Sequence, residues 1–162
     1  MIYILILVFI LVHILFGLEL GYTAQSAWWT HFTYWMQHGS ILHLLLNVVS
    51  LFGVMKVLER FIRPVVVLTV AIVIAVFVSW LVNYNSVPVV GASGVVYALL
   101  GMYISIIVRG TVRFTSTFNM WLFFFSVFTF LIISFFKTNS AGLLHLFSLC
   151  AGFAYITFKK NI

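Results

Sequence analysis

Apolar runs of about sixteen to eighteen residues alternate with short polar breaks along the whole chain. A helix that crosses a bilayer needs about 20 mostly apolar residues. Six segments fit this pattern. They run from about Ile2 to Leu18, about Ile41 to Leu58, after Pro64 to near Val82, about Ser93 to Val108, about Asn119 to Phe136 and about Ala141 to Phe158. Glu59 and Arg60 end the second, and Lys159 and Lys160 close the sixth. The pattern predicts an all-α membrane protein with six transmembrane helices in one compact bundle over residues 1–162. It leaves no room for a soluble domain, and no linker, internal repeat or low-complexity tract interrupts it. The run from Ile2 to Phe16 lacks a basic flank and a small-residue cleavage site, so it reads as a retained span and not a signal peptide.

Composition sharpens this picture. The hydrophobic fraction is 65% and the charged fraction 6%, against roughly 45–50% and about 25% in soluble domains. Ten charged side chains could not solubilise that much apolar surface. Glu19 and Glu59 are the two acids, and there is no Asp. Mechanisms built on a carboxylate pair, a Ser-His-Asp triad or a hard-cation cage therefore lack their parts. Neither Glu stands in an HExxH setting, so no metal site is expected. No cofactor is expected either. The formal charge of +6 comes from basic residues scattered in ones and twos, which form no stripe to follow a nucleic-acid backbone. The single Cys, Cys150, excludes an intramolecular disulfide and reads as a small thiol in an apolar helix.

Lys and Arg also set the expected orientation. Lys56, Arg60 and Arg63 follow the second segment, Arg109 and Arg113 the fourth, and Lys159 and Lys160 the sixth. With six spans all seven share the side of the termini, which is therefore expected to be cytoplasmic, with Lys137 opposite. The connection from Glu19 to Gly39 would lie outside. It holds Tyr22, Trp28, Trp29, Phe32, Tyr34 and Trp35. It reads either as a folded loop sunk partly in the outer leaflet, its backbone satisfied internally, or as an aromatic belt.

Polar side chains inside spans are costly and point to function. His13 has no recognisable partner and reads as a histidine bonded to a neighbouring helix or loop. His43 and Asn47 stand at i, i+4 on one face of the second span, with Ser50 continuing it. Together they read as donors to an anionic oxygen or as an interhelical clamp. The fourth segment opens Gly91-Ala92-Ser93-Gly94. Ser93 reads as a helix N-cap, or as a nucleophile whose target oxygen would fall against free N–H groups at a helix start. Gly94, Ala98 and Gly101 form a small face, and His145, Ser148 and Gly152 form a second one in the last span. If these faces meet, His145 reaches Ser93, giving a nucleophile and its general base. Alone, His145 is as well read as a polar clamp. Tyr97, one turn below Ser93, is then the nearest group to pack on the imidazole.

The spacing His38-x4-His43-x3-Asn47, the GASG at Gly91 to Gly94 followed by Tyr97 and Gly101, and His145 in the last span resemble a rhomboid intramembrane serine protease. The resemblance implies a Ser93–His145 dyad, an oxyanion hole from His43, Asn47 and the Ser93 N–H, and Tyr97 stacked on the base. It further implies that Gly91 precedes the nucleophile, that His38 is structural at the entry to the second span, and that Glu59 ties down the cytoplasmic end. The implied partners are a single-span membrane-protein substrate and the lipid bilayer. That substrate would enter past the Phe-rich fifth span and be cut near its outer end. The lack of soluble domains suggests a minimal bacterial form.

Three positions depart from the family. Trp29-Thr30 stands where a Trp-Arg pair is usual, Ser148 where Gly is usual, and the connection from Lys137 to Ser140 is short, so the cap over the site must be short too. The Trp29-Thr30 change bears on loop anchoring, and Ser148 suggests looser contact between the fourth and sixth spans. Two rival readings are a non-proteolytic relative that escorts membrane clients and a small transporter. The first would lack the Ser or the His. The second would carry repeated halves and a polar path.

Overall fold

The computed structural model describes residues 2–16, 18–82, 87–137 and 139–159; the side chains of 137, 139 and 140 are outside that description. Lys160, counted among the cytoplasmic cations, and Thr138, in the short last connection, lie outside the described residues. Among the described residues seven α-helices follow one another: α1 (Ile2–Leu15), α2 (Thr30–Thr33), α3 (Ile41–Leu58), α4 (Pro64–Leu81), α5 (Ser93–Val108), α6 (Thr117–Lys137) and α7 (Asn139–Phe158). A 3-10 turn, Tyr34–Met36, follows α2. Among the described residues the extended structure is one isolated bridge, Tyr22 to Val89.

The helices α3, α4, α6 and α7 are long and apolar enough to cross a membrane; α1 and α5 are shorter apolar helices of 14 and 16 residues. The first stops three residues before the predicted Leu18. The sixth and seventh each start two residues earlier than the apolar pattern predicts. Polar Thr117 and Asn139 belong to those helices, because a helix end tolerates polar residues that an apolar window leaves out.

Local chemistry sets several boundaries. Ser40 caps α3 by accepting from the His43 N–H at 3.1 Å. Pro64 opens α4 at its first turn, where its missing N–H costs nothing. Ten of the 16 residues of α5 are buried, which makes it the central helix. It runs beside α7 in a seam so close that a Cβ on Gly101 would strike the Leu149 carbonyl, and one on Gly152 the Ala98 carbonyl. Ser148 of α7 is fully buried. The main core joins Leu51, Met55 and Leu58 of α3, Val67 and Ala71 of α4, and Leu99, Met102 and Ile106 of α5. Outward, α1, α3 and α6 present large apolar side chains, among them Phe118, Phe125 and Phe136 of α6. These are the surfaces a bilayer would cover.

The loop between α1 and α3 is folded against the bundle. The Tyr34 hydroxyl donates to the Ala75 carbonyl at 3.0 Å, and His31 Nδ1 pairs with Ser79 Oγ at 2.9 Å. The His31 ring stacks between Tyr22 and Trp80, with centroids 4.6 and 4.2 Å away. Burial pushes His31 below its ordinary titration range. The Leu20 N–H donates to Gln37 Oε1 at 3.0 Å. Thr30, standing where the family has Arg, is buried and donates to the Ala27 carbonyl at 2.7 Å. The loop is thus anchored by other contacts. At the opposite end Arg109 donates to the Ile156 and Lys159 carbonyls at 3.0 and 3.2 Å, tying α5 to α7. Glu59 pairs with Lys56 of its own helix at 2.9 Å in an exposed position. Among the described residues Arg109 and the Ser105–Thr157 hydroxyl pair, 2.9 Å apart, tie this end.

Candidate active site

Ser93 is the first residue of α5, and Ala92 precedes it without a side-chain cap. The serine therefore does not spend its hydroxyl on its own helix. Its Oγ lies 2.7 Å from His145 Nε2 of α7. The Tyr97 ring lies parallel to the imidazole, with centroids 4.4 Å apart and planes 17° from parallel. Tyr97 and His145 share this geometry because side chains on a helix lean toward its N-terminus. Tyr97, one turn down α5, thus reaches back under the ring that Ser93 meets from above.

The turn before Ser93 is fixed by its backbone. Gly91 has φ 118°, a conformation that side chains with a Cβ avoid. A Cβ there would also stand 2.6 Å from Cε1 of His43, so the glycine is required twice. The Gly91 N–H donates to the Tyr34 carbonyl at 3.0 Å, and the Ala92 N–H to His38 Nε2 at 3.4 Å. His38 is held in turn through its carbonyl, 3.0 Å from His13 Nδ1. The His38 imidazole is pushed down to about 3, first by burial and then by neighbouring His43 and His13, with a Met36 backbone contact opposing. It is neutral near pH 7, as an acceptor for the Ala92 N–H must be.

His43 and Asn47 face the same space as Ser93, Tyr97 and His145. All five line a cleft of about 800 Å³ bounded by α3, α5 and α6. Asn47 is buried, and its Nδ2 donates to the His43 carbonyl at 2.9 Å; one amide hydrogen remains for another acceptor. By helix geometry the N–H groups of Ser93, Gly94 and Val95 have no partner within α5, and the first bond of the helix is Val96 N–H to the Ala92 carbonyl at 2.9 Å. The cleft thus holds a hydroxyl against an imidazole, with N–H and amide donors beside them.

Three of the candidate residues, Gly91, His38 and Gly94, are not among those that line the cleft. His38 stands behind the Gly91 turn. Gly94 is a packing point: a Cβ on it would meet the Tyr34 hydroxyl at 3.1 Å, Ala75 at 3.4 Å and Leu144 at 3.5 Å. Among the described residues no cluster of metal-ligating side chains occurs. The sequence names Tyr34 only as a loop aromatic and not as a support of the site, though its carbonyl holds Gly91 and its hydroxyl holds α4. Its one signal was its place among loop aromatics.

The model of the Rhomboid domain family matches residues 25–161. The chain belongs to the rhomboid family. It is also similar to the "Putative rhomboid protease YdcA" of Bacillus subtilis (strain 168), with 29% identity over 140 residues that cover 85% of this chain and 69% of that one. The rhomboid match begins inside the loop before α2, so α1 lies outside it, while Ser93, His145 and every other lining residue of the cleft lie within it.

Proposed function

We propose that this rhomboid protein is a serine endopeptidase that cuts membrane-spanning substrates with a Ser93–His145 dyad. The observation that carries the reading is the 2.7 Å approach of Ser93 Oγ to His145 Nε2 at the wall of a cleft that already holds donors. In the first step Oγ bonds to the substrate carbonyl carbon as its proton passes to Nε2. The oxyanion falls among the Ser93 N–H, His43 and the free amide hydrogen of Asn47. The tetrahedral species collapses, and the leaving amine takes the proton from Nε2. Water then attacks the acyl-enzyme, again giving its proton to His145, and Ser93 leaves as the hydroxyl. No acid is needed to orient the base, because Tyr97 fixes the imidazole plane by stacking.

All six long helices cross the bilayer in this reading. The short α5 begins below the outer surface, which puts Ser93 at the floor of a cavity that water reaches from outside. The termini are cytoplasmic, as the cation distribution favours. The substrate is a single transmembrane helix that enters between α3 and α6 and is cut near its outer end. The presence of both dyad residues weighs against a non-proteolytic escort.

The test is cleavage in reconstituted vesicles of a single-span protein with small residues near the outer end of its helix. The unmodified chain should release the outer fragment, and Ser93→Ala and His145→Ala should release none. Cleavage that persists in Ser93→Ala would overturn the proposal.

A further inference from the structure

Gly53 stands inside α3, yet a Cβ built on it would meet no atom within 4 Å. The glycines of the α5–α7 seam differ: a Cβ on Gly101 or Gly152 would strike the opposite backbone. A glycine inside a helix is destabilising relative to alanine. At Gly53 no described neighbour in the chain uses the space it frees. Ser50, one turn earlier, is exposed, and its hydroxyl makes no hydrogen bond to a described residue. Ser79, Ser105, Ser126 and Ser134 each make one. A polar group left open toward lipid is costly. Both residues line the cleft that holds Ser93 and His145. Leu46, Ser50, Gly53 and Val57 follow one another down its α3 wall, at i, i+4, i+7 and i+11. The wall is therefore notched, with Leu46 above the notch and Val57 below it. Among the described residues no Cα of α3 comes within 8 Å of one of α6, so the notch opens on the gap between those helices.

We propose that Ser50 and Gly53 form a specificity notch that seats a small residue of the transmembrane substrate about six residues to the cytoplasmic side of the cut bond. This inference rests on the protease reading above. In lipid, helices associate where small residues let their backbones approach and where hydroxyls bond across the gap. Asn47, a donor to the oxyanion in that reading, marks the level of the cut carbonyl. Gly53 is six residues further along α3, which at 1.5 Å per residue is about 9 Å deeper. A substrate helix spans that depth in about six of its own residues. Ala or Gly at that place lets its backbone settle on Gly53, where Leu would hold it off. The Ser50 hydroxyl, higher in the notch, is then free to donate to a substrate carbonyl released where the helix unwinds toward the cut. A lipid acyl chain would use neither feature, since any apolar wall serves it and it accepts no hydrogen bond.

The test is cleavage of three single-span substrates by the full chain in vesicles, resolved into a maximal rate and a half-saturating concentration. One substrate carries Ala six residues inside the cut bond, the second Leu at that place, and the third Leu eight residues inside, on the opposite helix face. Ala and Leu are both good helix formers, so unwinding near the cut is unaffected. Leu at the sixth place should raise the half-saturating concentration roughly three- to twenty-fold and leave the maximal rate unchanged, as loss of uniform binding does. Leu at the eighth place should change neither. Gly53→Leu should erase the preference, cutting the Ala substrate as poorly as the unmodified chain cuts its Leu counterpart. It should melt no lower than the unmodified chain, because its side chain enters open space. Equal cleavage of all three substrates by the unmodified chain would overturn the inference, and so would equal harm from Leu at either place. A Gly53→Leu chain that keeps the preference would overturn it too, because general crowding or a displaced lipid would then account for any slowing. Unfolding of Gly53→Leu, or loss of its labelling by a fluorophosphonate, would overturn it by making the glycine a support of the fold or of Ser93. An unmodified chain that cuts none of the three and takes no fluorophosphonate would instead sink the protease reading itself.

Discussion

His38 shows how one buried side chain governs the placement of Ser93 without touching it. It accepts the Ala92 N–H, which fixes the turn from which Ser93 projects. It can do so only while neutral. In the folded chain it takes up a proton near pH 3, against an ordinary value of 6.5. Between those limits the unfolded chain binds more protons, so stability rises with pH there. The melting temperature should hold above pH 7 and fall as pH drops from about 6.5 toward 4. His31, also pushed down by burial, adds to the same trend. His38→Gln should make the fall shallower, and a slope equal to that of the unmodified chain would contradict this account of His38. Gly91 governs the same turn by geometry alone. Its φ of 118° and its closeness to the His43 ring exclude any side chain.

At the scale of elements, the α5–α7 seam sets the distance between Ser93 and His145. The small residues that build it repeat at helical spacing, so its faces were legible in the sequence. Which residue does what was not. Gly101 and Gly152 make the backbone approach, whereas Gly94 faces Tyr34, Ala75 and Leu144. A helical face is wide enough to meet two neighbours, and spacing alone does not divide it between them. Gly152→Val should push the helices apart at Ala98, destabilising the fold by about 3 kcal/mol or more and separating Ser93 from His145. Thermal denaturation and labelling would both report it; a variant as stable and as reactive as the parent would contradict the seam as described. The loop anchors were illegible for a different reason. Tyr34 to Ala75 and His31 to Ser79 join residues 41 and 48 positions apart, and no periodicity encodes such pairs. The missing Arg after Trp29 drew attention to anchoring, but only the folded chain reveals that stacked aromatics and a glutamine supply it. Glu59 was legible as a helix end, but its partner is Lys56, and Arg109 makes a tie through the Ile156 carbonyl of α7 and the Lys159 carbonyl just beyond it.

For the whole molecule, apolar side chains such as Trp121 and Phe125 point outward while polar atoms gather at one cleft. That inversion is what a bilayer requires, since lipid covers the outside and offers no hydrogen bonds. On the side of the cleft, α6 packs on α7, the Phe135 ring lying against Gly142, and reaches α5 through the edge contact of Tyr103 with Phe123, 5.4 Å between centroids. In the proposed reading, the mouth between α3 and α6 is the route for a helical substrate. In a Cys150→Ala background, a short bis-maleimide bridge between Val49→Cys and Phe130→Cys, both lining that mouth, should stop cleavage of a transmembrane substrate while leaving small-molecule labelling intact. Undiminished cleavage by the bridged chain would contradict entry by this route. The central claim is more local, that an acid-free pair of Ser93 and His145 forms a working nucleophile. Its most direct test is fluorophosphonate treatment of the purified chain followed by mass mapping of the adduct. The account predicts one adduct, on Ser93, that is absent in His145→Ala although the variant stays folded. An unlabelled folded chain, or an adduct on another residue, would contradict it.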